Sequence, residues 1–168
     1  MLGMTDDQER IEALRTELRE IREAQEAARQ VLHRLDTSRE SLSSARSWGT
    51  YDTWFGGGLF SSWIKHDRID DADQSMRQVD SALGQLRKEL ADIGVDGVGE
   101  VGIGDLNRTL DVWFDNIFSD AMSQSRIKDA ARRVEAVGTS LVRLQGELER
   151  RRAAVEQELA RRTAETQP

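Results

Sequence analysis

Eight apolar residues, Ile69, Ala72, Met76, Val79, Leu83, Leu86, Leu90 and Ile93, follow one another at alternating three- and four-residue steps without a miss. Residues three and four apart share one face of an α-helix, so this spacing predicts a helix whose apolar stripe packs against other helices. No strand pattern, which would alternate every second residue, fits the same run. A comparable seam occupies the N-terminal part of the chain: Ile11, Leu14, Leu18, Ile21, Ala28, Leu32, Leu35 and Leu42. Two of its positions are polar, Gln25 and Arg39. Polar seam residues cost stability and can fix register or partner number. A third long run carries Ile127, Ala130, Val134, Val137, Leu141, Leu144, Leu148, Val155 and Leu159.

These seams predict an all-α fold: a single elongated domain over 1–168, built as an antiparallel helical coiled-coil bundle with an aromatic-rich helical head. Composition agrees, with 33% charged residues and a single proline. The first helix is expected over 5–46, with Thr5 as its cap and Asp6, Asp7 and Glu9 suiting the positive end of its dipole. It is expected to fade through the serine-rich residues 41–47. A head segment follows at 47–66, then a second helix over 67–93. Residues 94–104 hold five glycines and predict a loop. A short third helix is expected over 105–122, with Leu106, Leu110, Trp113, Phe114 and Ile117 on one face. The fourth is expected over 125–163. Helix lengths predict a three-helix stalk in which the fourth helix leaves the head beside the second. The outer parts of the first and fourth would outrun the second as a two-helix section.

Six of the nine aromatic residues lie between Trp48 and Trp63: Trp48, Tyr51, Trp54, Phe55, Phe60 and Trp63. The run Gly56-Gly57-Gly58 interrupts them, and each glycine costs about 1 kcal/mol relative to alanine in a helix. Trp113, Phe114 and Phe118 form a second cluster. The expectation is that the two clusters stack as the head, the aromatic area they bury making it the most stable part of the molecule. Part of the head, Trp54, Phe55, Phe60, Trp63, Lys65 and Trp113, is the candidate partner-binding face.

A degenerate repeat relates the halves of the chain at an offset of 58 residues. Arg68-Ile69-Asp70-Asp71-Ala72 reads against Arg126-Ile127-Lys128-Asp129-Ala130. Val79, Leu83, Leu86, Glu89 and Leu90 meet Val137, Leu141, Leu144, Glu147 and Leu148. Trp54-Phe55 meets Trp113-Phe114 with a slip of one residue. Leucines coincide in any two heptad runs. The Arg-Ile-x-Asp-Ala and Trp-Phe matches do not follow from heptads.

The charge of −7 is unevenly spread: residues 1–46 carry −2, 47–125 carry −8, and 126–168 carry +3. An acidic middle excludes a general nucleic-acid surface, which needs clustered positive charge. The basic run Arg150-Arg151-Arg152 has glutamates around it and reads as a solvated helix face. There are no cysteines, which removes disulfides and thiolate chemistry. No apolar run approaches the roughly 20 residues of a membrane span. The opening residues turn acidic at once, unlike a signal peptide, so a soluble cytoplasmic protein is the expectation.

Little in the chain points to catalysis. Gly97-Val98-Gly99-Glu100-Val101-Gly102 has the dinucleotide-binding spacing, but that fingerprint needs a preceding strand in a βαβ unit, and a seam helix stands there instead. No P-loop, G-x-S-x-G or H-E-x-x-H occurs. His33 beside seam residue Leu32 is expected to be exposed. His66, Asp70 and Asp73 share a helix face, Asp67 and Asp71 form a second i, i+4 pair, and Asp111 and Asp115 lie on the third helix. An imidazole with carboxylates suits a divalent cation. The candidate metal set is therefore His66, Asp67, Asp70, Asp71, Asp111 and Asp115, against the alternative that these aspartates cap a helix and line a wet face.

Trp48-Gly49-Thr50-Tyr51-Asp52-Thr53-Trp54, Gly56-Gly57-Gly58, Ile64-Lys65-His66, Ile69-Asp70-Asp71-Ala72 and Phe114-Asp115-Asn116-Ile117-Phe118-Ser119-Asp120 resemble motifs in a group of bacterial coiled-coil proteins. In that group a glycine-rich aromatic motif, an Ile-Lys-His and a later Phe-Asp-Asn-Ile-Phe recur between long helices. The resemblance covers about residues 48 to 130. It implies helical architecture and a bacterial origin, brings no activity with it, and draws attention to Gly56, Lys65, His66, Asp70, Asp115 and Asn116.

The functional expectation is a non-enzymatic interaction or scaffolding protein without a cofactor, whose partners are other proteins or a second copy of the chain. The first alternative is a ligand- or metal-binding head with hydrolytic activity. The second is a membrane-surface protein docking through Phe60 and Trp63, which Asp52, Asp67, Asp70 and Asp71 oppose because anionic lipid repels them.

Overall fold

The computed structural model describes residues 6–55, 59–93, 100–115 and 124–166, with side chains for 6–40, 71, 74–93, 104–111, 113 and 131–165. The described chain is all-α. Its four helices are α1 (Asp6–Phe55), α2 (Leu59–Asp92), α3 (Glu100–Asp115) and α4 (Gln124–Thr166). At 1.5 Å per residue the 50 residues of α1 extend about 75 Å.

The boundaries differ from expectation in the serine- and glycine-rich stretches. α1 does not fade at 46 but continues through the serine-rich run to Phe55. Serine is only a few tenths of a kcal/mol worse than leucine in a helix, so a few serines do not end one. α2 starts at Leu59, eight residues before the expected 67. The head segment 47–66 is thus the end of one helix and the start of the next, either side of residues 56–58. α3 begins at Glu100, inside the expected loop, and includes Gly102 and Gly104. An acidic residue at the first position suits the helix dipole. α3 ends at Asp115 rather than 122; residues 116–123 lie outside the described residues.

α1 is the shared neighbour: α2 and α4 both pack along it, and α3 packs on α4. Paired residues give the directions. Along α1, Asp7, Glu17, Gln25 and Arg39 meet Arg162, Arg151, Glu149 and Glu135 of α4, so the two helices are antiparallel. Asp105 and Thr109 of α3 meet Arg143 and Ser140 of α4, again antiparallel. α1 and α2 are separated by three residues and pack on each other, with Arg34 donating to Gln78 at 3.0 Å.

This changes the stalk in one respect. The side-by-side packing of α2 and α4 is not among the principal helix contacts of the described residues. α3 joins the stalk instead of standing at its head. Its Leu106, Leu110 and Trp113 enter the same core as Val79, Leu83 and Leu86 of α2 and Val137, Leu141 and Leu144 of α4. An apolar stripe as strong as that of α3 has to be covered, and the bundle supplies the cover.

The buried face of α1 records which helices it meets. Leu14, Ile21, Ala28 and Leu35 are buried throughout. In the outer part the flanking buried residues are Ile11, Leu18 and Gln25; further in they become Ala24, Ala27, Val31 and Ser38. Gln25 and Arg39 contact α4, whereas Arg34 contacts α2. The stripe therefore widens and turns toward α2 once that helix arrives. Leu32 is only partly buried, and Arg39 is an exposed residue beside the seam, not within it. Ser38 takes the buried position and closes its hydroxyl on the carbonyl of Leu35 at 2.9 Å.

The repeated residues carry equivalent packing. Val79, Leu83, Leu86 and Leu90 are all buried, as are Val137, Leu141, Leu144 and Leu148. The two repeat helices, α2 and α4, are the two that pack on α1.

Candidate functional site

α1 closes with Trp54 and Phe55, and α2 opens with Leu59, Phe60 and Trp63, followed within two turns by Lys65, His66, Asp67 and Asp70. The backbone thus gathers the candidate partner-binding residues of the first cluster at the tip of the α1–α2 hairpin. Their side chains lie outside the described residues, as do those of Phe114 and Asp115.

Trp113 is not part of that tip. It is only 1% exposed and belongs to the bundle core, so its ring is unavailable as a partner-binding face. Contacts between α3 and α4, and between α4 and α1, place it near the level of Arg39. Trp54 is about 15 residues further along α1, or roughly 22 Å at helical rise. Trp113 therefore does not stand in one head with Trp54, and no aromatic cluster forms among the described side chains; those of Trp48, Tyr51, Phe114 and Phe118 lie outside them. α3 is too short to reach the tip from its position beside α4. The indole Nε1 of Trp113 is buried without a hydrogen-bond partner. An unmade bond of this kind costs about 1–3 kcal/mol.

The proposed metal ligands spread along the same axis. Asp71 and Asp111 are exposed, and among the described residues no group of three or more His, Cys, Asp or Glu side chains is disposed to hold an ion. By the α1–α2 and α3–α4 pairings, Asp111 lies about nine residues, roughly 14 Å, from the level of His66. Oxygen ligands must converge to within about 2.6 Å of an ion, so these two do not share one site. His66, Asp67, Asp70 and Asp115 lie outside the described side chains. His33 is exposed, as its seam neighbour predicts.

The described polar groups come together both within helices and between them, and the contacts between helices include two small networks. Gln25, 6% exposed, donates from Nε2 to Oε2 of Glu149 at 3.0 Å, while Gln145 Nε2 donates to the main-chain oxygen of Gln25 at 3.1 Å. Between α3 and α4, the hydroxyls of Thr109 and Ser140 are 3.0 Å apart. Oδ2 of Asp105 accepts from Ser140 and from Arg143, each at 3.3 Å. Arg39 lies over Gly138, with its Nε 2.9 Å from Glu135 and its Nη1 3.0 Å from Asp36.

The basic run on α4 is partly used in this way. Arg150 is exposed, but Arg151 and Arg152 are half-buried. Arg151 meets Glu17 of α1 at 2.5 Å, and Arg152 meets Glu149 at 2.7 Å. Near the end of the outer section, Arg162 donates to Glu158 and Asp7, and Arg10 also reaches Glu158. The Arg162 hydrogen bond, with Arg10 nearby, holds the Glu158 carboxyl below the usual carboxylate range. Arg29 and Gln30 do the same for Glu26. These are structural pairs.

The outer section buries Ile11, Leu14, Leu18 and Val155. The one exposed large apolar side chain among the described residues is Val142, 64% exposed on α4. No described helix is long and apolar enough to cross a membrane.

No protein-family model matches the sequence, and searches of curated proteins and of solved structures give no match.

Proposed function

We propose that the chain is a non-enzymatic coiled-coil spacer that presents the tip of its α1–α2 hairpin to another protein. One observation supports this reading: the described polar side chains pair within helices or across their seams, and the aromatic-rich sequence spans the end of α1 and the start of α2. α1 extends about 75 Å, and its apolar stripe is buried from Ile11 to Leu35, which supports a stiff arm. Trp54, Phe55, Phe60, Trp63 and Lys65 fall at its tip, and aromatic residues dominate the binding energy of most protein interfaces. Trp113 is left out of the binding set because it is core.

The test is capture of binding proteins by the full chain, followed by direct titration of the purified candidate. Trp54→Ala with Trp63→Ala should abolish binding, whereas exposed substitutions in the outer section, such as Ala13→Ser and Gln157→Ala, should leave it unchanged. Equal binding by both variants would reject the tip. Calorimetric uptake of a divalent cation that His66→Ala abolishes would replace the spacer reading with a metal-binding one.

A further inference from the structure

Apolar packing alone defines the alignment of α1 and α4 poorly. Leu14, Ile21, Ala28 and Leu35 repeat every seven residues on α1, as do Val134, Leu141, Leu148 and Val155 on α4. Sliding one helix past the other by a heptad returns apolar residues to apolar positions. The polar contacts repeat only in part. Glu149 and Glu156 lie seven apart, as do Glu158 and Glu165, so Arg22, paired with Glu156, keeps an acidic partner in one shift. The residues seven either side of Arg151, however, are Leu144 and Glu158.

We propose that the cross-helix pairs of α1 and α4 form a register lock, which selects one alignment of the two helices and with it the length of the rod. In the observed register Arg10 faces Glu158, Glu17 faces Arg151, Gln25 faces Glu149 and Arg39 faces Glu135. Shifting α4 so that each α1 residue meets the position seven lower sets Arg10 against Arg151 and Arg39 against Lys128, and leaves buried Gln25 beside Val142. Shifting by seven the other way sets Glu17 against Glu158 and Arg39 against Val142. That second shift keeps some attraction, since Arg10 then meets Glu165 and Gln25 meets Glu156. The Glu17 contact therefore weighs most against it. The Glu17 side chain is 19% exposed, so solvent screens its charge less than that of a free surface residue. Gln25 acts against the first shift: its side chain and its carbonyl are engaged at once by Glu149 and Gln145, where that shift would bring Val142 and Gly138. A buried polar residue at a seam position is the best-attested device for fixing register.

The chain has no cysteine, so spin labels attached to introduced cysteines report the register without interference. Ala13→Cys and Ala136→Cys occupy exposed positions on α1 and α4, offset by about 30 Å along the rod. A one-heptad slip changes that offset by about 10 Å. The labelled chain should show a single distance. A variant with Arg10→Gln, Glu17→Gln, Gln25→Leu and Arg39→Gln should remain helical and show a second distance about 10 Å away. Charge inversion predicts the direction of the shift. Arg151→Glu repels Glu17 and attracts Arg10 after a slip that shortens the distance. Glu17→Arg repels Arg151 and attracts Glu158 after the slip that lengthens it. The two inversions together should restore the native distance. One unchanged distance in the four-site variant, or shifts of the same sign in the two inversions, would overturn the lock. If the four-site variant loses its helicity, the two inversions and their combination decide alone.

Discussion

Gly138 sits in the interior of α4, where glycine costs about 1 kcal/mol relative to alanine. Gly84 in α2 and Gly146 in α4 carry the same penalty, with nothing within 4 Å of the place a methyl group would take. Replacing either by alanine should therefore stabilise the chain by about 1 kcal/mol, a rise in Tm of about 2–4 °C for a domain of this size. Gly138→Ala is different. Its methyl would lie 2.9 Å from Nη2 of Arg39, which must move. Arg39 bridges Glu135 and Asp36, and its side chain is 42% exposed. Exposed pairs contribute about 0.2–1 kcal/mol, so displacing the guanidinium offsets part or all of the helix gain. The net change expected for Gly138→Ala is about 0–0.8 kcal/mol, below that for Gly84→Ala. Thermal melts followed by helical circular dichroism resolve the difference when the three variants are run together. In an Arg39→Ala background the obstruction is gone, and Gly138→Ala should recover the full gain of about 1 kcal/mol. Equal stabilisation by Gly138→Ala and Gly84→Ala, with no change on removing Arg39, would refute the claim that the arginine occupies the space above this glycine.

Three further outcomes follow from the core and the ion pairs. Leu144→Ala, in a fully buried position, should cost about 2–5 kcal/mol in denaturant unfolding, while Val142→Ala two residues away should stay within about 0.5 kcal/mol. Trp113→Ala should cost about 3–5 kcal/mol; Trp113→Phe should cost clearly less, because it also removes the unpaired indole donor, and equal losses would show that Nε1 has an acceptor. Glu158 has a folded-state pKa below its ordinary 4.5, so the folded chain binds fewer protons there than the unfolded chain. Its contribution is fully present above pH 4.5 and is lost as pH falls through the lower folded value, so Glu158→Gln should flatten the acid limb of the stability profile; an unchanged limb would show that Arg162 and Arg10 do not act on it.

The helices and most of the buried residues of α2 and α4 were legible because seam spacing is local information. A residue three or four positions from its neighbour faces the same way whatever the rest of the chain does. Ile69 to Ile93 thus identified α2 without knowledge of its partners, and the offset-58 repeat paired the helices α2 and α4, both of which pack on α1. Helix ends were less legible. The serine-rich residues 41–47 and the glycines at 102 and 104 have weak preferences that packing and dipole effects override.

What only the tertiary structure decided is who faces whom. Whether Val31 or Leu32 is buried, and whether Ser38 or Arg39, depends on where α2 joins α1, which spacing along one helix does not record. Trp113 reads from the sequence as part of the head; α3 lying antiparallel to α4, with Thr109 against Ser140, puts its indole in the leucine-rich bundle core instead. That places it about 22 Å of helix from Trp54 and takes it out of the head that the sequence suggested. Periodicity determines the face a helix buries; register and neighbour are set by long-range contacts between charges and side chains far apart in the chain, such as Glu17 with Arg151 and Gln25 with Glu149.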